Sequence, residues 1–320
     1  MIKPTLMAQN YYNLFGSPRS LSLLDQAVPP VKSRFFWLAG LAARVLPTGI
    51  KRLFYRLGPF SRLIRKGLNL SVSSELQEVV IAGGRLAGYH MLLDLKQEKD
   101  FWLGTYETHL QEALEDWIIP GAVVFDVGAN IGYISLLMAR RIGVDGHVYA
   151  FEALPANLER LRKNAALNDR GAQISISHQA IVESTGPVEF KVHESIGMGK
   201  ATGSAGRDET YDQILEVPGA SLDDLVYIQG LPVPDALKID IEGGEVLAMP
   251  GMTRLLHEAK PILLIELHGQ AAAESAWHHL IGAGYTIRTM TPGYPPVERL
   301  DMLDWKAYII AQPMSDNSHE

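Results

Sequence analysis

Val123-Val124-Phe125-Asp126-Val127-Gly128-Ala129-Asn130-Ile131-Gly132 reads as a buried apolar strand that ends in an acid, turns through glycine and enters a helix. Gly128 lets the backbone turn tightly and lets a ligand approach closely. The helix start offers amide N–H groups without intrahelical partners. A dinucleotide site uses such groups for a pyrophosphate, with the pattern G-x-G-x-x-G. Here Asn130 stands in place of the middle glycine and Asp126 precedes the turn. An acid at that place repels pyrophosphate and suits a cationic ligand. Glu152 ends the next strand, where a carboxylate can accept hydrogen bonds from both hydroxyls of a ribose. A nucleoside without phosphates but with a positive charge satisfies both features, and S-adenosylmethionine (SAM) is such a ligand.

Working outward, strands and helices alternate. Strands are expected at Ala122–Val127, His147–Phe151, Ile174–His178, Ala236–Ile241, Ile262–Leu267, Tyr285–Met290 and Lys306–Ile310. Helices are expected over 107–118, Ile131–Ile142, Pro155–Leu167, Leu222–Ile228, Glu245–His257 and Ala271–Ile281. Upstream, Leu76–Ile81 and Leu86–Leu95 read as strands around a Gly83-Gly84 turn. Pro187–Val192 suggests an extra strand, and the polar, glycine-rich stretch His193–Asp212 a loop or lid. This alternation implies an α/β fold, a parallel sheet covered by helices on both faces, with ligands at the C-terminal strand ends.

Three segments carry a resemblance to the FkbM family of SAM-dependent methyltransferases. They are Phe125 to Tyr133, Phe151-Glu152-Ala153, and Leu237-Lys238-Ile239-Asp240-Ile241-Glu242-Gly243-Gly244-Glu245. Gly104-Thr105-Tyr106-Glu107 and Leu264-Ile265-Glu266-Leu267-His268 also look like the family. The likeness spans residues 75–312. It implies a Rossmann-like class I methyltransferase sheet of about seven strands, SAM as methyl donor and an O-methyl product on a small molecule, sugar or natural product. The cofactor residues it implies are Tyr106, Glu107, Asp126, Gly128, Asn130, Gly132, Glu152 and Asp240.

Asp240 and Glu242 close an apolar strand, and alternation is expected to send both to one side, with Ile239 and Ile241 facing the core. Glu245 starts the next helix, where an acid suits the dipole. Glu266 and His268 end the following strand with the same two-residue spacing. His268 is the expected general base, because imidazole titrates near neutrality, with Asp240 or Glu266 assisting. Asp240, Glu242, Glu266 and His268 could also form a divalent-metal site of carboxylate oxygens and one imidazole. Division of these groups among cofactor, substrate and base is the preferred reading, so no metal is assigned.

The chain has 320 residues, 47% apolar and 20% charged, a globular composition. The net charge of −7 argues against a nucleic-acid partner. Cys is absent, which excludes disulfides, thiolate metal sites and thiol nucleophiles. No stretch is long and apolar enough to span a bilayer, and no secretory leader is recognised, so a cytoplasmic location is expected. Residues 1–74 read as a helical extension, 75–312 as the catalytic domain and 313–320 as a disordered tail. Basic residues concentrate between Lys32 and Lys66, with no acid between Asp25 and Glu75. Helical stripes there suit docking on the acidic domain or peripheral contact with an anionic membrane through residues 32–66. The partner expected at the active site is a small hydroxyl acceptor. Two alternatives stay open: an NAD-dependent oxidoreductase, which Asn130 disfavours, and a SAM-binding or membrane-associated module without catalysis.

Overall fold

The computed structural model describes residues 76–193, 199–206, 211 and 213–314. The basic extension at 1–74, the rest of the expected lid and residues 315–320 lie outside the described residues. Within the described residues the chain divides into two units, one of 76–108 with Ala166–Asp169, the other of His109–Ala165 with 170–314.

In the smaller unit, β1 (Gln77–Val80) pairs antiparallel with β2 (His90–Leu93), followed by α1 (Lys99–Leu103). Both strands are shorter than their apolar runs, because the chain turns through 83–88 before β2. Asn168 doubles as a strand partner: its Oδ1 accepts from the His90 amide at 2.9 Å and its Nδ2 donates to the His90 carbonyl at 2.8 Å. Tyr106 packs its ring 4.1 Å from Phe101.

The larger unit is built on an eight-stranded sheet. In chain order its elements are α2 (Thr108–Trp117), β3 (Val123–Val127), α3 (Tyr133–Ile142), β4 (His147–Glu152), α4 (Pro155–Ala166) and β5 (Ile174–His178). A second set follows: β6 (Ala180–Ile181), β7 (Gly186–Val192), β8 (Gly199–Ala201) and β9 (Gln213–Ala220). The sheet resumes with β10 (Ala236–Ile239), α5 (Glu245–Ala248), α6 (Thr253–Glu258), β11 (Ile262–His268), α7 (Gln270–Gly282), β12 (Tyr285–Thr289), β13 (Pro296–Val297) and β14 (Lys306–Pro313). The strand order is β13-β12-β14-β11-β10-β3-β4-β5. From β11 to β5 neighbouring strands run parallel, whereas β14 lies antiparallel between β11 and β12. The sheet is thus the expected Rossmann-like one, parallel from β11 to β5 and closed by an antiparallel edge.

Three further differences have local causes. β10 stops at Ile239 rather than Ile241, because Glu242 (φ 54°) and Gly243 (φ 95°) turn the chain through the left-handed region. Alternation therefore carries from Lys238 to Asp240 but not to Glu242. The helix expected over Glu245–His257 is split into α5 and α6 by a 3₁₀ turn at Pro250–Met252, since proline has no N–H to donate. The expected loop between His193 and Asp212 contributes β8, and β9 follows it. With β6 and β7 these form a four-stranded sheet of order β6-β9-β7-β8.

The core of the main sheet is apolar on both faces. Phe125, Val127, Leu237, Ile239, Leu263 and Ile265 are buried, and Phe125 meets Tyr149 and Phe151 edge-on at 5.4 and 5.5 Å. Each such side chain contributes roughly 1.5–3 kcal/mol by burial. One ion pair sits inside this core. Lys238, 3% exposed, donates from Nζ to the carbonyls of Gly128 at 2.7 Å and Val127 at 3.3 Å. The same Nζ lies 3.3 Å from Asp126 Oδ1, while Asp126 Oδ2 accepts from Ser135 Oγ at 2.6 Å. Removing one partner of a buried ion pair strands the other charge. Lys238→Met is therefore expected to lose about 3–5 kcal/mol of stability in urea unfolding. An unchanged midpoint would show that the pair holds nothing.

Candidate active site

β3 has β4 on one side and β10 on the other, so chain order reverses at β3. The segments leaving β3, β4, β10 and β11 surround that reversal. The turn after β3 is fixed by its neighbours. The amides of Gly128 and Ala129 both donate to the Phe151 carbonyl at 3.0 Å, and Asn164 Nδ2 holds the Ile131 carbonyl at 2.8 Å. Gly128 has φ 76°, and a Cβ there would stand 1.9 Å from the Asp240 carbonyl oxygen. No other residue fits. Gly132 has φ 91°, and its missing Cβ leaves room for Leu161 Cδ1. Asn130 takes φ 51°, a region that Asn tolerates better than most side chains.

Glu152 closes β4 at 6% exposure. Its Oε2 accepts from the Asn130 amide at 2.7 Å and its Oε1 from the Leu154 amide at 2.8 Å. Burial pushes its pKa up, against the pull of those two amides. A carboxylate has about four acceptor positions, so after two amide bonds it keeps capacity for a pair of ribose hydroxyls. A nucleoside beside the Gly128–Gly132 turn would find its ribose acceptors here. Asp126 is placed differently from the sequence expectation: it has no exposed surface and is engaged by Ser135 and Lys238. Tyr106 and Glu107 belong to the smaller unit.

The second group gathers at the ends of β10 and β11. Asp240, Glu266 and His268 each bring one donor atom within 4.8 Å of the others. His268, 4% exposed, has Nε2 at 3.0 Å from Glu266 Oε1 and 3.6 Å from Glu242 Oε2. Its Nδ1 stands 3.5 Å from Glu245 Oε1, which also accepts from the Ile241 amide at 3.2 Å. Lys306 reaches across from β14 to Glu266 Oε1. Burial disfavours the imidazolium, but Glu245 and Glu266 outweigh it and push the His268 pKa up to about 10. Burial likewise opposes the Glu266 charge, yet His268 and Lys306 hold its pKa below the ordinary carboxylate value. His268 thus differs from a lone imidazole poised near neutrality. Asp240 is the most open of the three, its side chain 18% exposed.

Three residues here carry no site role in the sequence reading. Lys238 lies inside an apolar strand with Asp240 two positions on; a lysine in such a strand needs a buried anion, and that was the available signal. Glu245 reads as a helix-start acid, but the fold leaves it no exposed surface and turns it on His268. Lys306 reaches Glu266 only through the antiparallel register of β14, which pairs His268 with Lys306. The described part of the 199–206 segment packs on the same corner: the Ala205 amide donates to the Gly243 carbonyl at 2.9 Å, and Lys200 Nζ to the Ala205 carbonyl at 3.0 Å.

Comparisons with known proteins place the chain among methyltransferases. The hexuronic acid methyltransferase AglP of Haloferax volcanii is 29% identical over 177 residues, 55% of this chain and 64% of that protein. The match thus spans just under two thirds of that relative. A ribosomal protein L11 methyltransferase of Thermoanaerobacter is 33% identical over 84 residues, 26% of this chain and 27% of that protein. Among solved structures, methyltransferase FkbM of Methylobacillus flagellatus aligns with TM-score 0.37 and 17% identity, covering 68% of this chain and 53% of that one. Among the described residues no helix is long and apolar enough to cross a membrane. The family model for the methyltransferase FkbM domain matches residues 126–289, from the acid of the first turn through β12. On that match, which covers half of the chain and every site residue from Asp126 to His268, the chain belongs to the FkbM methyltransferase family, whose methyl donor is SAM.

Proposed function

We propose that this methyltransferase acts on a hydroxyl oxygen of a small acceptor, with a sugar as the first class to test. The observation that carries this reading is the convergence of Asp240, Glu266 and His268 beside the Gly128 turn. Bound SAM supplies an electrophilic methyl carbon on a sulfonium. The chain's own task is to align an acceptor oxygen with that carbon and to exclude water. A protonated alcohol is a poor nucleophile, so a group that takes its proton raises the rate. Asp240 is the member with exposed surface and is assigned to meet the hydroxyl. Glu266 and His268 stand behind it, buried, and are assigned to hold it in place and steady its charge. The sugar class rests on the hexuronic acid substrate named for the Haloferax relative. Membership of a methyltransferase family removes the support for the nicotinamide alternative.

On the cofactor side, Glu152→Ala is expected to weaken SAM binding in calorimetry by about 10- to 100-fold, the loss of a charge-assisted hydrogen bond. Unchanged affinity in a folded variant would remove Glu152 from the ribose. On the acceptor side, incubation with SAM and a panel of hexuronates, hexoses and polyols should place a new methyl group on oxygen, read by mass spectrometry. Methylation confined to nitrogen or carbon acceptors would contradict the proposal, and SAM binding without any transfer would favour a non-catalytic module. On the acceptor that responds, His268→Ala should lower turnover by roughly 10²- to 10⁴-fold with SAM affinity retained.

A further inference from the structure

We propose that Asp240, Glu266 and His268 hold one divalent cation of the first transition row, an inference that rests on reading their cluster as the acceptor site. The donor set is two carboxylates and one imidazole, a mixture that suits Mn²⁺, Fe²⁺ or Zn²⁺ better than an all-oxygen ion. Donors about 2.1 Å from an ion stand up to about 4.2 Å apart. The three donor atoms already lie within 4.8 Å of one another, so the site closes with small side-chain movements.

Two independent observations point to a ligand here. First, Glu266 is 4% exposed, and its Oε2 has no hydrogen-bond partner among the described residues, while its Oε1 is occupied by Lys306 and His268. A buried carboxylate oxygen without a partner is costly unless a cation or donor reaches it. Second, the buried His268 Nδ1 makes no hydrogen bond among the described residues, and a carboxylate oxygen of Glu245 stands 3.5 Å from it, within a small movement of the orienting contact. A ligating imidazole commonly turns its other ring nitrogen toward a carboxylate, which fixes its orientation. Glu245, with no exposed surface and anchored on the Ile241 amide, stands on the Nδ1 side, while Nε2 faces Glu266 and Glu242. Charge agrees. Around this corner five carboxylates, Asp126, Asp240, Glu242, Glu245 and Glu266, stand with the ammonium groups of Lys238 and Lys306 and one imidazole among them. Such a cation would polarise an acceptor hydroxyl bound to it and make its proton easier to lose.

The test is a Mn²⁺ titration of the chelator-stripped full chain, followed by electron paramagnetic resonance, with SAM calorimetry on the same samples. One saturable ion per chain is expected, well below millimolar Mn²⁺. Glu245→Gln should weaken binding by about 10- to 100-fold, as loss of an orienting carboxylate does, and Glu266→Gln and His268→Gln by more. Asp240→Asn, at the open side of the site, keeps the test available if a buried variant does not fold. Free-ion spectra persisting to millimolar Mn²⁺ in protein that binds SAM would overturn the site and leave the methyltransferase reading standing. Affinity unchanged in Asp240→Asn and Glu266→Gln would overturn it as well. Mn²⁺ binding lost in these variants, in protein that methylates no hydroxyl, would support the site while the acceptor reading failed.

Discussion

The ammonium of Lys238 is the point on which the ligand end of the sheet depends. It sits between β3 and β10, the strands at which chain order reverses, and bonds the Gly128 and Val127 carbonyls while facing Asp126. Taking a lysine out of water is expensive, and several oxygens must converge to offset it. That requirement fixes the carbonyls at the start of the turn, and the turn in turn aims the Asn130 amide at Glu152. Gly128 completes the constraint from the other side, since the Asp240 carbonyl lies where its side chain would be. The Gly128 turn and the Asp240 segment are thereby fixed against one another by the Lys238 ammonium and by close backbone packing. Methyl transfer needs such fixed geometry, because small misplacements of the reacting atoms are costly.

The corner around His268 follows a different logic. Carboxylates from the Asp240–Glu245 turn and from β11 crowd one buried imidazole, and Lys306 enters from the antiparallel strand to share Glu266. Each group is placed by a separate long-range pairing, so the electrostatic character of the corner is a property of the whole sheet. A histidine with one carboxylate neighbour can sit near its ordinary pKa, whereas His268, flanked by Glu245 and Glu266, is pushed up to about 10. The chemistry assigned to it therefore belongs to the cluster and not to a solitary base.

What was legible in the sequence was what is local. The apolar run into Asp126, the glycine turn and the acid at Glu152 announce a strand–turn–helix and the strand beside it. The alternation of later segments announces the sheet, and Asp240, Glu266 and His268 can be picked out as polar residues closing apolar strands. The rest was not legible because it depends on pairing. Nothing near Lys306 says that it opposes His268 across an antiparallel pair. Nothing near Glu245 distinguishes an exposed helix-start acid from one with no exposed surface. Alternation continued past Ile239 in the sequence reading because a left-handed Glu242 followed by glycine leaves only a weak trace. The strand Gln213–Ala220 escaped notice because Pro218 and Gly219 interrupt its pattern, yet β6 and β7 flank it on both sides.

The central claim is that one face of the reversal holds the nucleoside and the adjoining corner receives the methyl group. The most direct measurement is a crystal structure of the full chain with SAM bound. The account predicts the ribose hydroxyls on the Glu152 carboxylate, the nucleoside along the Gly128–Gly132 turn, and the methyl carbon directed toward Asp240, Glu266 and His268. A ribose held elsewhere, or a methyl group directed away from that cluster, would contradict it.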